Sequence, residues 1–282
     1  FGALRPRVSA YMQALDRALW ALGISAKTKQ FKEIKQVGLE CIGEMDLYDV
    51  FESVYLAARS LSLISKSCVL DLSHLGILSG VLNGVSKDES FKKEVMKALA
   101  EKNPHGLSEI CARYGITKED EEKIAVFLSA HGEPEQVLKT IAPLCKKGEA
   151  KEAYQQLREL CKLLSVTDCA ECIRLDFSVI NDMKYYNGIV FKGFIDGIAE
   201  GVLSGGRYDS LMQRMGKSSG AIGFAVYTDL LENFQAKKNA KDVDILLLYD
   251  EKTPTLAIVR AVEALVKKGN SVSTQKSKDG VR

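Results

Sequence analysis

The sequence predicts an α+β fold on three observations. Ile189, Phe191 and Ile195 alternate with their neighbours up to Asp196-Gly197, a pair that tolerates the positive φ of a type I′ turn. A second strand and a helix follow through Gly205-Gly206-Arg207-Tyr208-Asp209. Residues 86–165 change to a continuous helical pattern, and Asp244–Tyr249 reads as a buried strand that opens a separate strand, helix and strand run.

Taken in order, Met12 to Leu22 reads as an amphipathic helix with Leu15, Ala18, Leu19 and Leu22 on one side. The helical stretch carries two expected capping boxes, Ser86-x-x-Glu89 and Thr117-x-x-Asp120. It is broken at Asn103-Pro104, Gly115 and Gly132-Glu133-Pro134. After the polar link Ala236 to Lys241, Thr253-Pro254 is read as the cap and first turn of a helix carrying Leu256, Val259, Val262 and Val266. Lys267 and Lys268 suit that helix's C-terminal dipole, Gly269 ends it, and Val272 starts the next strand.

Composition sets the bounds. The 282 residues are 46% hydrophobic and 27% charged, which suits two or three packed units. The formal net charge of +2 gives no global basic field for nucleic acid. The seven cysteines, an odd number at 41, 68, 111, 145, 161, 169 and 172, read as reduced cytosolic thiols. Cys169-Ala-Glu-Cys172 has no second pair, and the histidines are His74, His105 and His131, so no four-ligand metal site is expected. No apolar run approaches the roughly 20 residues that span a bilayer. The opening residues do not read as a signal peptide, so the expected location is cytoplasmic.

Three segments carry a family resemblance. Tyr185-Tyr186-Asn187-Gly188-Ile189-Val190-Phe191, then Gly205-Gly206-Arg207-Tyr208-Asp209, then Gly223-Phe224-Ala225 occur in the order of the histidyl-tRNA synthetase catalytic core. Phe31 to Gly43 resembles the second motif of class II synthetases. The resemblance implies a class II aminoacyl-tRNA synthetase-like core, an antiparallel sheet with flanking helices, over residues 1–85 and 166–235. It also implies a helical insertion over 86–165 and a partial anticodon-binding-like α/β unit over 241–282, too short for a full domain with its own core. Leu4-Arg5-Pro6 lies closer to the second motif than this fold allows, so spacing before Lys27 is not used.

The departures from the family pattern fall on one side of the chemistry. The family's catalytic arginine falls on Asn181, its ATP-clamping arginine on Leu230, and Gln30 and Lys32 stand where arginines are usual. Asn and Leu cannot imitate the guanidinium fork, and Lys keeps only a point charge. On the histidine side, the resemblance implies a ligand site made of Gln36, Glu40, Tyr185, Tyr186, Arg207 and Tyr208. Glu40 is read as lying in a buried run with Val37, Leu39, Cys41 and Ile42, where a cationic ligand would offset its charge.

This combination resembles the regulatory subunits of ATP phosphoribosyltransferase, synthetase-like proteins of histidine biosynthesis. Asp71-Leu72-Ser73-His74-Leu75-Gly76 fits that group as well. The resemblance implies a chain with no catalytic residue, metal or cofactor. Its implied partners are a short-form catalytic subunit and a second copy of itself within a hetero-oligomer. Histidine is the implied effector, while membrane and tRNA are not implied. The competing reading is a divergent histidyl-tRNA synthetase using ATP and magnesium; a third is a synthetase paralogue with an unrelated partner.

Overall fold

In a computed structural model of the chain, the described residues are 35–180, 186–231 and 243–276. The expectations for Leu4-Arg5-Pro6, the helix at Met12 to Leu22, Gln30, Lys32, Asn181 and Tyr185 lie outside them. The chain divides into two compact units, Phe1–Glu232 and Asn233–Arg282.

The first unit is built on a seven-stranded sheet. Its strands are β1 (Gln36–Gly43), β2 (Cys68–His74), β3 (His131–Gly132), β4 (Ile173–Asp176), β5 (Ile189–Ile195), β6 (Leu203–Arg207) and β7 (Gly220–Tyr227), in the order β1-β7-β6-β5-β2-β4-β3. All neighbours are antiparallel except the parallel pair β2 and β4. The pairing separates two faces. Leu39, Phe224, Gly205, Phe191, Leu72 and Leu175 form one row across the sheet, and Glu40, Gly223, Gly206, Val190 and Ser73 form the neighbouring row on the other face.

Helix α1 (Leu47–Ile64) packs against the apolar face. Asp46 and Asp49 cap it reciprocally: Asp49 N–H donates to Asp46 Oδ1 at 2.9 Å and Asp46 N–H to Asp49 Oδ2 at 3.1 Å. Val54, Ala57, Ala58 and Leu61 form its buried stripe. Gly193 leaves room for Leu61, whose Cδ1 lies 2.6 Å from where a Cβ would sit.

The helices that follow within this unit include α2 (Leu75–Val85), α3 (Glu89–Ala100), α4 (Pro104–Arg113), α5 (Lys118–Ser129), α6 (Pro134–Ile141), α7 (Gly148–Leu164) and the short α8 (Asp209–Arg214). Asp88, rather than Ser86, caps α3, accepting from Ser90 N–H at 2.7 Å and Phe91 N–H at 3.1 Å. Ser86 Oγ accepts instead from Asp88 N–H at 3.1 Å. A carboxylate two residues nearer the helix meets the exposed donors that the hydroxyl cannot reach. Thr117 caps α5 as its sequence suggests. Helix α7 returns to lie along α2, where a Cβ on Gly80 would sit 2.9 Å from the Ala150 Cα, and one on Gly76 would sit 3.2 Å from the Ala153 Cβ.

The β5–β6 connection is not a two-residue hairpin. Seven residues, 196–202, join the strands. The Ile198 N–H to Ile195 carbonyl bond closes a turn in which only Gly197 has positive φ, +86°. A type I′ turn needs positive φ at both central residues, and Asp196 does not supply it.

Asp71 carries a testable consequence of burial beside the β2–β4 pair. Desolvation, with the Asp176 charge adding to it, pushes its carboxyl up to about 6, against the opposing pull of Lys102, Arg174 and His131. Because the folded value exceeds the unfolded value near 3.9, this contribution to stability is complete below about pH 4 and is lost as pH rises through 6. With solvent screening of the partly exposed carboxyl taken into account, Asp71→Asn is therefore expected to stabilise the fold by about 1–2 kcal/mol at pH 8 and by nothing measurable at pH 4. Denaturant titrations at the two pH values check this; a stabilisation independent of pH would refute it.

The second unit pairs β8 (Ile245–Tyr249) in parallel with β9 (Val272–Lys276) through α9 (Thr255–Val266). Pro254 occupies the cap position, and Thr253 Oγ1 donates to Asp250 Oδ1 at 2.7 Å instead of capping the helix. Strand β8, expected to be buried, alternates between half-buried and exposed, with Leu246 and Leu248 exposed.

Candidate functional site

The face of the sheet opposite α1 has two glycines in one cross-strand row. Gly223 on β7 stands between Glu40 on β1 and Gly206 on β6. Their missing side chains leave a trough, and the side chains of Glu40 and Tyr186 fill it. A Cβ on Gly223 would overlap the Glu40 carboxylate and the Leu39 carbonyl oxygen. One on Gly206 would lie 2.7 Å from Cδ1 of the Tyr186 ring.

Tyr208 closes the group. It follows β6 directly and precedes α8 (Asp209–Arg214), and its N–H donates to the Ala221 carbonyl at 2.8 Å. Its ring is buried with Met212 and Ala221 and meets Tyr186 edge to face, with ring centroids 6.4 Å apart at 79°. Its hydroxyl donates to Glu40 Oε2. Glu40, Tyr186 and Tyr208 thus come together from three separated segments as one carboxylate and two aromatic faces.

The expected buried charge at Glu40 takes a different form. The β1 residues alternate between exposed and half-buried, and Glu40 as a residue is exposed. Its carboxylate nevertheless folds down over Gly223 and is desolvated there, which pushes its pKa upward; the Tyr208 hydrogen bond pulls the other way. Its partner among the described residues is therefore a phenol, and no cationic side chain among them neutralises it.

The remaining sequence-named positions separate. Gln36 is on the same face, four residues and about 13 Å along β1, opposite Tyr227, whose hydroxyl lies 2.5 Å from Ser204 Oγ. Arg207 does not join Tyr208. It pairs with Ile222, across from Cys41, so it shares the α1 face. Its Nε donates to Asp209 Oδ2 at 2.7 Å, while Asp209 Oδ1 accepts from Ala221 N–H at 2.9 Å. Leu230 is half-buried in the helical turn after β7.

His74 was missed as a site candidate. It is 7% exposed, and its Nδ1 accepts from Gly76 N–H at 3.2 Å at the start of α2. The signal was its place directly before a helix, where a side-chain acceptor is needed. Cys68 lies near Cys169 and Cys172, yet among the described residues no group of three or more His, Cys, Asp or Glu side chains is placed to hold a metal. No helix among them is long and apolar enough to cross a membrane.

Comparison with known proteins follows the same lines. The sequence is 26% identical over 246 residues to an ATP phosphoribosyltransferase regulatory subunit of Desulfitobacterium hafniense, covering 86% of this chain and 64% of that protein. The chain therefore spans a little under two thirds of that relative's length. A crystal structure described as an ATP phosphoribosyltransferase regulatory subunit/histidyl-tRNA synthetase from Bacillus halodurans superposes with a TM-score of 0.68. It has 25% identity and covers 91% of this chain and 66% of its own. The histidyl-tRNA synthetase of Nostoc shares the fold at a TM-score of 0.62 and 16% identity, over 87% of this chain and 62% of its own. The family profile described as histidyl-tRNA synthetase matches residues 23–231. With its class II synthetase-like sheet and the Glu40, Tyr186 and Tyr208 cluster, the chain belongs to the histidyl-tRNA synthetase family.

Proposed function

We propose that this chain is the synthetase-like part of a regulatory subunit of ATP phosphoribosyltransferase, acting in the cytoplasm in histidine biosynthesis without catalysis of its own. The observation that carries the reading is a split between two sides of one site. Glu40, Tyr186 and Tyr208 bring one carboxylate and two aromatic rings together, which suits a cationic ring, while Leu230 puts an apolar side chain where phosphate chemistry needs a guanidinium. The names borne by relatives such as the Desulfitobacterium protein support the same reading.

In this reading residues 1–85 and 166–235 form the core, 86–165 a helical module, and 241–282 the start of a further α/β unit. The partner is a short-form catalytic subunit, and the chain pairs with a second copy inside the hetero-oligomer. Histidine is the effector: its cationic end lies against Glu40 and the rings of Tyr186 and Tyr208 flank it, while Gln36 stands farther along β1 and Tyr185 lies outside the described residues. Arg207 acts only indirectly, by holding Asp209 and the start of α8.

The test is reconstitution with the short-form catalytic chain from the same source. Added protein is expected to raise ATP phosphoribosyltransferase activity at least tenfold and to confer inhibition by histidine. Glu40→Gln and Tyr208→Phe are each expected to shift the inhibition curve by about tenfold, the worth of one charge-assisted hydrogen bond, while leaving activation intact. Absence of activation would overturn the regulatory role. Unchanged inhibition in both variants would move the effector away from Glu40.

A further inference from the structure

Two features that the open face leaves unused, the β2–α2 turn at His74 and Arg207 of the Gly-Gly-Arg-Tyr-Asp run, meet on the opposite face of the sheet. They line one cavity of about 370 Å³ between the strand ends, the start of α1 and the side of α7. That volume suits a small metabolite.

The polar groups of the cavity are fixed in advance. Because Nδ1 of His74 accepts the Gly76 N–H, its proton sits on Nε2, which donates to Gln156 Oε1 at 3.3 Å. Burial lowers the imidazole pKa to about 4, so the ring is a neutral donor at physiological pH. The Arg207 stem packs against Gly188, where a Cβ would be 3.3 Å from Cδ, and its Nε is held by Asp209. The two terminal guanidinium nitrogens make no hydrogen bond to any described residue.

The carboxylates divide in the same manner. Asp209 is occupied by Arg207 and the Ala221 N–H, and Asp46 caps α1. Glu159, on the α7 wall, has no hydrogen bond or ion pair with any described residue. The uncommitted charged groups are therefore one fork of positive charge on the sheet and one carboxylate on α7, and Leu157 and Leu160 add apolar surface to the same lining. A simple anion would meet Glu159 and Asp46, and a simple cation would meet Arg207. A zwitterion with an apolar body satisfies both.

We infer that this cavity is a second small-molecule site, separate from the Glu40 face, that takes a zwitterionic α-amino acid with an apolar side chain. Its carboxylate bonds to the terminal nitrogens of Arg207 and its ammonium to Glu159, with the side chain against the leucines of α7. Bidentate carboxylate recognition by Arg supplies orientation, and the second charge excludes singly charged analogues.

Calorimetric titration with L-leucine, L-leucinamide and 4-methylpentanoate tests this, because the second probe lacks the carboxylate and the third lacks the ammonium. L-leucine is expected to bind saturably, with both analogues at least tenfold weaker. Glu159→Gln is expected to weaken leucine at least tenfold while leaving 4-methylpentanoate no weaker, since the variant removes a charge that repels it. Leu47→Trp, at a half-exposed position on the rim, is expected to block all three. Glu159 is exposed, so its variant tests the site without threatening the fold, which circular dichroism verifies. Absence of saturable leucine binding, equal affinity for the three probes, or leucine binding unchanged in Glu159→Gln and Leu47→Trp would overturn the assignment. Loss of leucine binding in Glu40→Gln would do the same by placing the ligand on the open face.

Discussion

Incubated with histidine, ATP, magnesium and labelled pyrophosphate, the purified protein is expected to exchange label at background rate. The motive is Leu230, half-buried in the turn after β7, at the position where synthetases of this family place an ATP-clamping arginine. A leucine there offers no donor to a triphosphate and adds apolar surface where the nucleotide would need charge. Asn181, outside the described residues, marks the second lost arginine. Preorganised donors to developing phosphate charge are worth about two to three powers of ten each, so the pair accounts for about four to six. Exchange at synthetase-like rates would defeat the regulatory reading and favour a divergent synthetase. Restoring the guanidinium with Leu230→Arg alone is expected to leave the rate at background.

Gly223→Ala is expected to be the most damaging single methyl added to the open face. The new Cβ meets the Leu39 carbonyl oxygen and the Glu40 carboxylate at once. The first is backbone in the β1–β7 ladder and cannot turn aside. Overpacking of this kind costs about 3 kcal/mol, the upper end of its usual range, and relief requires β1 to part from β7. Gly206→Ala makes a useful contrast, since its Cβ meets the Tyr186 ring at 2.7 Å and the Ile189 carbonyl oxygen at 2.8 Å. The ring can swing away, so a smaller loss of stability is expected, accompanied by loss of the edge-to-face contact with Tyr208. Thermal melts of the two variants check the order. Equal melting temperatures would show that the glycines are not what shapes the trough.

How far the sequence was legible depends on parity and on edges. The alternation of Ile189, Phe191 and Ile195 located β5, and the same period of two explains the misplacement of Arg207. Consecutive strand residues project to opposite faces, so Arg207 and Tyr208 cannot both turn to one ligand while the chain remains extended. Grouping them by adjacency in the motif ignored that rule. Glu40 was misread for another reason. Val37, Leu39, Cys41 and Ile42 look like a core run, yet β1 is the end strand among the described residues, and Ile42 is 58% exposed. Sequence shows which residues are apolar but not how many strands lie beyond them. The link between Glu40 and Tyr208, 168 residues apart, comes only from pairing both β1 and β6 with β7. Family likeness, rather than pattern, is what brought those two residues into one expected site. Asp196-Gly197 shows the reverse limit: the glycine took the positive φ, but the length of the connection was set by the strands it had to join.

The close approach of α2 and α7 constrains how this chain can drift over evolutionary time. At Gly80 the two helices touch through backbone and Cβ atoms, with no side-chain layer to absorb a shift. Inserting one residue between Ala150 and Ala153 would rotate everything beyond it by about 100°. Ala150 and Ala153 would then no longer face the glycines together, and the wall bearing Gln156 and Glu159 would turn away. The junctions at 101–103, 114–117 and 145–147 are free of that restriction. Natural length variants are therefore expected to gather at those three joints and to leave the seventeen residues of α7 uninterrupted, so that the helix serves as a fixed ruler between the variable helices and the sheet.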